Sequence, residues 1–160
     1  MDSGSEILGD GTRLPEWWPS VYLDVREREP AGADRPGRVL DVYTTGWLPY
    51  TLRWEMTETE PRSPAGFAIA AAGDFVGAGR WRFTQHGPEV EVVYDWRIRP
   101  DKPLLRRLTW LMRPIFSANH RWAMERGEES LRLELRRRRG MAPKDARPPG
   151  PMFAWPTRRR

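Results

Sequence analysis

Six stretches of the chain alternate between apolar and polar residues, the pattern of a β-strand with one buried face. The six predicted strands begin near Val21, Arg38, Tyr50, Phe67, Trp81 and Val90. Segments rich in Gly, Pro and Asp separate them at short intervals, which leaves no room for helical crossovers between parallel strands. The pattern therefore predicts an antiparallel meander, with a break at residues 61–66 and a bend at Gly77–Gly79.

After Pro103 the apolar period changes from two residues to that of a helix. Pro is favoured in the first turn of a helix, and the helical pattern continues to about Arg137. Met112, Phe116 and Asn119 share one face of this helix. A long helix that follows a meander predicts an α+β fold in which a curved sheet of about six strands wraps around the helix.

Composition limits the class of protein and its chemistry. The chain has 160 residues, 39% of them hydrophobic, which suits one domain with a single core. It has no cysteine, which excludes disulfides, thiolate catalysis and cysteine-ligated zinc, and its two histidines, His86 and His120, predict neither a metal site nor a cofactor. No apolar run is long enough to span a bilayer and no signal peptide is visible, so we expect a cytoplasmic protein.

The positive charge is concentrated at the end of the chain. Residues 136–160 carry nine Lys or Arg against one acid, a net of +8, whereas the rest carries 18 basic and 21 acidic residues, a net of −3. This segment is also rich in proline, so we predict a disordered basic tail over residues 138–160. The composition favours a solubilising extension with no dedicated partner, and the alternative is non-specific contact with nucleic acid or an anionic surface. Residues 1–13 are predicted to be a flexible leader, which leaves residues 14–137 as the domain.

Five short motifs occur along the chain in an order that resembles a known family. They are Trp17–Ser20, Gly46–Tyr50, Ala72–Trp81, Tyr94–Trp96 and Arg113–Phe116 with Asn119–His120. Together they resemble the polyketide cyclase/dehydrase-like branch of the START and Bet v 1 superfamily, also called SRPBCC proteins. The resemblance implies a helix-grip fold, in which a curved antiparallel sheet grips a long C-terminal helix around a cavity.

The sequence departs from the family pattern at its beginning. The family resemblance implies a first strand and a helix before the Trp17–Ser20 segment, and neither is visible in the residues before Trp17. We therefore expect a start upstream of Met1, poor order in residues 1–12, and an unpaired edge along the last strand, Val90–Arg99. An unpaired strand edge favours self-association.

Inward alternation predicts a set of aromatic and apolar side chains between the sheet and the helix. Large rings on a concave sheet either fill the core or line a cavity for a ligand. Asn119 adds a polar group in the middle of the apolar helix face, where it must find a partner in the protein or in a ligand. The candidate ligand-binding residues are Tyr50, Trp54, Trp81, Phe83, Tyr94, Trp96, Met112, Phe116 and Asn119.

Two functions are compatible with this set. The first is binding of a small hydrophobic, aromatic or lipid-like ligand in an internal cavity. The second, implied by the family resemblance, is an enzyme of the cyclase/dehydrase type, in which Asn119, Tyr50 or His120 would move protons or hold an enolate. The sequence contains no complete set of nucleophile, base and orienting group, so the catalytic residues stay unassigned.

Overall fold

Six strands and three helices make up the part of the chain that this computed structural model describes, residues 3–33, 37–100, 103–143 and 145–156. None of these helices is both long and apolar enough to cross a bilayer. In chain order the elements are α1 (Ser3–Gly9), a 3-10 turn (Gly11–Arg13), α2 (Leu14–Trp17), β1 (Tyr22–Glu29), β2 (Val39–Thr45), β3 (Thr51–Ser63), β4 (Gly66–Gly73), β5 (Phe75–His86), β6 (Glu89–Pro100) and α3 (Pro103–Arg138).

Each strand pairs with the next one in the sequence. The sheet order is β1-β2-β3-β4-β5-β6 and every pair is antiparallel, so the predicted meander is confirmed. Among the described strands, β1 and β6 form the two edges. The curved six-stranded sheet followed by one long helix is the α+β, helix-grip arrangement that the sequence predicts.

One predicted interruption is wrong and another is shorter than predicted. Residues 77–79 do not bend the chain, because β5 runs unbroken from Phe75 to His86 and pairs with β6 throughout. The break predicted at residues 61–66 is confined to the turn at residues 64 and 65, because β3 continues through Pro61 as far as Ser63 and β4 begins at Gly66. The register between β3 and β4 shifts around Glu60, and a proline fits a strand where the ladder of hydrogen bonds is interrupted.

The strand register divides the side chains between two faces of the sheet. Val25, Val42 and Trp54 lie side by side on β1, β2 and β3 and are buried, which identifies the inner face. The sheet is strongly curved, since the rings of Trp54 on β3 and Trp96 on β6 are 6.0 Å apart. Three strand spacings of a flat sheet would place these strands about 14 Å apart.

Helix α3 crosses the concave side of the sheet. It begins directly after β6, and its Asn119 contacts the loop between β2 and β3. Gly127 then lies against the indole of Trp18, which follows α2. The described apolar α3 side chains that pack on the core are Met124, Leu131 and Leu135, all in its C-terminal half.

The first residues of the chain differ from the predicted flexible leader. Ile7 and Leu8 of α1 belong to the buried core, so residues 3–13 form part of the folded domain. Burying these apolar side chains stabilises a helix that its short length could not support alone. Residues 1 and 2 of that leader, and residues 144 and 157–160 of the predicted tail, lie outside the described residues. Disorder of the tail stays a prediction.

Asp10 joins this N-terminal segment to the sheet. Its carboxylate accepts hydrogen bonds from the backbone N–H and the hydroxyl of Thr12, and it lies 3.4 Å from the guanidinium of Arg38. Burial opposes ionisation, but the hydrogen bonds from Thr12 and the charge of Arg38 lower the pKa of Asp10 below its ordinary value.

Candidate functional site

Seven aromatic rings form a connected layer on the inner face of β3–β6, which we call the aromatic face. Neighbouring rings have centroids between 3.8 and 6.2 Å apart, and the closest pair, Trp81 and Tyr94, is stacked at an angle of 12°. Contacts of this kind add to the stabilisation that burial gives each ring. The members are Trp54, Phe67, Phe75, Trp81, Phe83, Tyr94 and Trp96.

Burial is uneven across the aromatic face. The four rings of Trp54, Phe67, Phe75 and Phe83 are buried and form part of the core. Trp81, Tyr94 and Trp96 are only half-buried, although they point to the same side of the sheet. The aromatic surface that stays accessible is therefore concentrated on β5 and β6.

Gly79 explains how two large rings fit next to each other on β6. A Cβ at this position would lie 2.5 Å from the Trp96 ring and 3.2 Å from the Tyr94 ring. The residue of β5 over which these rings lie therefore has to lack a side chain. This steric requirement, and not a bend in the chain, accounts for the glycine.

Two tyrosines supply the polar groups of this region. Tyr22 on β1 is opposite Thr44, and its ring packs against Trp18 at 5.2 Å. Burial raises the pKa of the Tyr22 hydroxyl. Burial, together with the neighbouring Tyr22, raises the pKa of the Tyr94 hydroxyl. Both hydroxyls consequently stay protonated at neutral pH and can donate a hydrogen bond.

Asn119 finds its partner within the protein. Its side-chain Oδ1 accepts hydrogen bonds from the backbone N–H groups of Trp47 (2.7 Å) and Leu48 (3.3 Å). A Cβ on Gly46 would lie 2.4 Å from the same oxygen, so the loop passes very close to this side chain. Asn119 thus fixes the loop between β2 and β3 against α3.

The remaining predicted site residues lie apart from the aromatic face or at its border. Tyr50 belongs to the loop before β3 and is exposed, although partial burial raises its pKa. Met112 and Phe116 are half-buried on the first half of α3. His120 is exposed, and partial burial lowers its pKa, so it is mainly neutral at pH 7. His86 lies at the β5–β6 turn beside Glu91.

Sequence analysis missed three rings of this region. Phe67 and Phe75 belong to the aromatic face, and Tyr22 supplies a hydroxyl from β1. The inward position of Phe67 was visible in the alternation of β4. Phe75 was hidden because the fourth strand was predicted to end near Asp74, with the bend at residues 77–79, so that Phe75 lay between the two predicted strands. Tyr22 escaped notice because a register irregularity between Tyr22 and Asp24 inverts the alternation of β1.

A separate cavity of 580 Å³ lies on the outer face of the sheet. Most of its charged groups are paired: Arg28 forms ion pairs with both Asp41 and Glu55, and Arg26 pairs with Asp24. The Arg53 guanidinium instead lies 4.2 Å from the centre of the Tyr43 ring. This arrangement is typical of a surface network that stabilises neighbouring strands. Within the described residues, no three His, Asp or Glu side chains are grouped as metal ligands.

Comparison with known proteins supports the fold. The crystal structure of TTHA0849 from Thermus thermophilus is similar to this structure with a TM-score of 0.63, over 84% of this chain and 86% of that one. The two sequences are 19% identical, so the similarity concerns the fold alone. No family model and no curated protein matches the sequence.

Proposed function

We propose that this protein binds a small, largely apolar ligand, aromatic or lipid-like, between the aromatic face and the first half of α3. The observation that carries the proposal is the contrast in burial across the aromatic face. Four of its rings are packed in the core, whereas Trp81, Tyr94 and Trp96, which belong to the same inner face, are only half-buried. Large rings that are neither fully packed nor on the outside of a sheet are typical of a ligand site.

The position of α3 supports the same conclusion. The α3 side chains that pack on the core are in its second half, while the first half runs from the end of β6 to the β2–β3 loop. We therefore place the ligand between the half-buried rings and this first half, where Met112 and Phe116 are also half-buried. A ligand between them would gain contacts with rings that are already ordered by stacking, so little conformational entropy would be lost.

The chemistry of the hydroxyls defines the ligand further. Tyr94 has a raised pKa, so it donates a hydrogen bond and does not act as a base. A ligand with a flat apolar body and one carbonyl or other acceptor oxygen would match this environment. The motif resemblance to SRPBCC proteins of the polyketide cyclase/dehydrase-like branch favours the same class of ligand.

The enzyme hypothesis receives less support from the described residues. Asn119 is held by two backbone N–H groups, Tyr50 lies in an exposed loop and His120 is exposed. An acid–base mechanism needs a titratable group that reaches the substrate, and these three do not converge on the aromatic face. Binding is therefore the function that we propose.

A fluorescence titration with 8-anilinonaphthalene-1-sulfonate as the probe tests the site. We expect saturable binding that Trp96→Leu weakens about tenfold, because ring stacking and apolar area are lost together. The matched control is Trp47→Leu, the same change at a loop residue outside the aromatic face, which should leave the affinity unchanged. Equal affinities for the two variants, both shown to be folded by circular dichroism, would contradict the proposal.

A second measurement addresses the natural ligand. Native mass spectrometry of the purified full chain should show a co-purifying small molecule whose occupancy falls in the Trp96→Leu variant. Tyr94→Phe removes only the hydroxyl, and we expect it to weaken a ligand with an acceptor oxygen about three- to tenfold. An unchanged occupancy in both variants would argue for a ligand site elsewhere.

A further inference from the structure

The first half of α3 exposes large apolar side chains on the outside of the protein. Trp110 is 77% exposed, Leu111 is 62% exposed and Ile115 is 38% exposed. These three residues follow one another within little more than a turn of the helix. Exposed apolar side chains that form a contiguous group mark an interaction surface more often than single exposed apolar residues do.

The exposed residues share one side of the helix with a cation. At 3.6 residues per turn, Trp110, Arg107, Leu111 and Ile115 fall within an arc of about 140°. Arg107 is itself exposed. The arc includes the exposed Pro114, so this side of the helix presents a continuous strip of apolar groups. The exposed Arg113 lies about 60° beyond Trp110, at the border of this arc. We call residues Arg107, Trp110, Leu111 and Ile115, together with Arg113 at their border, the docking strip.

Within the first half of α3, the charged residues have a single sign. Between residues 103 and 124, α3 has four arginines, at positions 106, 107, 113 and 121, and no Asp or Glu. The end of β6 that leads into α3 carries two exposed arginines on either side of Ile98, which is 50% exposed. Of these, Arg97 lies 3.6 Å from the carboxylate of Asp95. The second half of α3 is different, because it contains glutamates that pair with Arg126, Arg132, Arg137 and Arg138.

We propose that the docking strip binds the surface of an anionic lipid bilayer. A helix segment that combines tryptophan and leucine with arginine, and that lacks acids, has the composition of an interfacial membrane-binding helix. Trp inserts at the level of the headgroups, the leucine and isoleucine enter the acyl boundary, and the arginines contact lipid phosphates. The proposal is independent of the ligand proposed above.

A second copy of this chain is a less suitable occupant. A twofold dimer brings the same surface of both subunits together, so Arg107 and Arg113 of the docking strip would face their own copies. Like charges at close range oppose such an interface. An anionic bilayer supplies the opposite charge over its whole surface.

Vesicle co-sedimentation of the full chain tests the proposal. We expect binding to vesicles of phosphatidylcholine with about one-third phosphatidylglycerol, weaker binding to phosphatidylcholine alone, and a loss of binding between about 0.1 and 0.5 M salt. Removing the apolar anchors in Trp110→Ser/Leu111→Ser should weaken the partition coefficient about tenfold or more. Arg107→Gln/Arg113→Gln should weaken it roughly 25-fold, at about fivefold for each arginine.

A control variant separates the docking strip from the basic tail. Met152 and Phe153 are also exposed apolar neighbours in an arginine-rich part of the chain, so Met152→Ser/Phe153→Ser is a matched change. We expect this variant to bind vesicles as the wild type does. All the changed side chains are exposed, and thermal unfolding followed by circular dichroism verifies that each variant is folded.

Three outcomes would overturn the proposal. One is a wild-type protein that does not bind the anionic vesicles. Another is binding that the tail variant abolishes and both docking-strip variants retain. The third is a dimer, detected by sedimentation velocity without lipid, that Trp110→Ser/Leu111→Ser dissociates while vesicle binding is unaffected.

Discussion

Gly46 and Asn119 form a pair whose energetic coupling can be measured directly. Asn119→Ala removes the oxygen that accepts the N–H groups of Trp47 and Leu48. Gly46→Ala adds a Cβ whose three nearest atoms would be Oδ1, Nδ2 and Cγ of Asn119, at 2.4, 2.9 and 3.0 Å. Asn119→Ala removes all three of these atoms. Each change alone therefore destabilises the protein. Gly46→Ala, however, is harmful only while the Asn119 side chain is present.

The contacts give the expected magnitudes. Losing two hydrogen bonds at a half-buried loop should lower the free energy of unfolding by about 1–3 kcal/mol in Asn119→Ala. Gly46→Ala should cost about 1–3 kcal/mol through overpacking. In the Asn119→Ala background the new Cβ has room, and Gly46 has no positive φ, so the same change should be neutral or stabilise by up to about 1 kcal/mol.

Urea unfolding of the wild type, the two single variants and the double variant measures the coupling. We expect the double variant to be about 1–3 kcal/mol more stable than the sum of the two single effects predicts. Each kcal/mol corresponds to about 2–4 °C in Tm. Additive effects, within about 0.5 kcal/mol, would refute the conclusion that Asn119 holds the loop.

Three further predictions concern packing and ionisation. Gly127→Ala should lower the free energy of unfolding by about 1–3 kcal/mol in urea, since its Cβ would lie 2.4 Å from the Trp18 indole, and Trp18→Leu should relieve this loss. The lowered pKa of Asp10 stabilises the fold above its ordinary value of 3.8, and this stabilisation is lost as the pH falls through the lower folded value. Acid titration should therefore destabilise Asp10→Asn less than the wild type, and equal slopes would contradict the assignment. The raised pKa values of Tyr22 and Tyr94 predict stability that is present below pH 10 and falls as the pH rises above it, and absorbance at alkaline pH should show these two rings ionising only with unfolding.

The alternation of side chains was sufficient to predict the sheet because each strand has one buried face and pairs with its neighbour in the sequence. It could not locate the ends of the strands. Residues 77–79 lack the side chains that carry the alternation, so they resembled a turn although β5 continues through them. Residues 3–9 are too few to show a helical period, and only their contacts with the core reveal that Ile7 and Leu8 are buried.

The sequence could predict the parts of the candidate site that depend on the alternation of side chains along one strand. It could not predict the parts that depend on contacts between residues far apart in the sequence. The parity of β5 and β6 correctly placed Trp81, Tyr94 and Trp96 on one face. The partner of Asn119, in contrast, lies more than 70 residues earlier in the chain, and no local pattern connects the two. The exposure of Trp110 also depends on how α3 is seated on the sheet.

The sequential order of the strands has a consequence for how the chain folds. Every strand pair closes only a short loop, so the sheet can form step by step along the chain with a small entropic cost at each step. The contact between α1 and the last turn of α3, where Glu6 lies 3.7 Å from Arg138, joins segments from opposite ends of the described chain. It is therefore expected to form late and to open first, and amide hydrogens in α1 should exchange with solvent faster than those in β3 and β4.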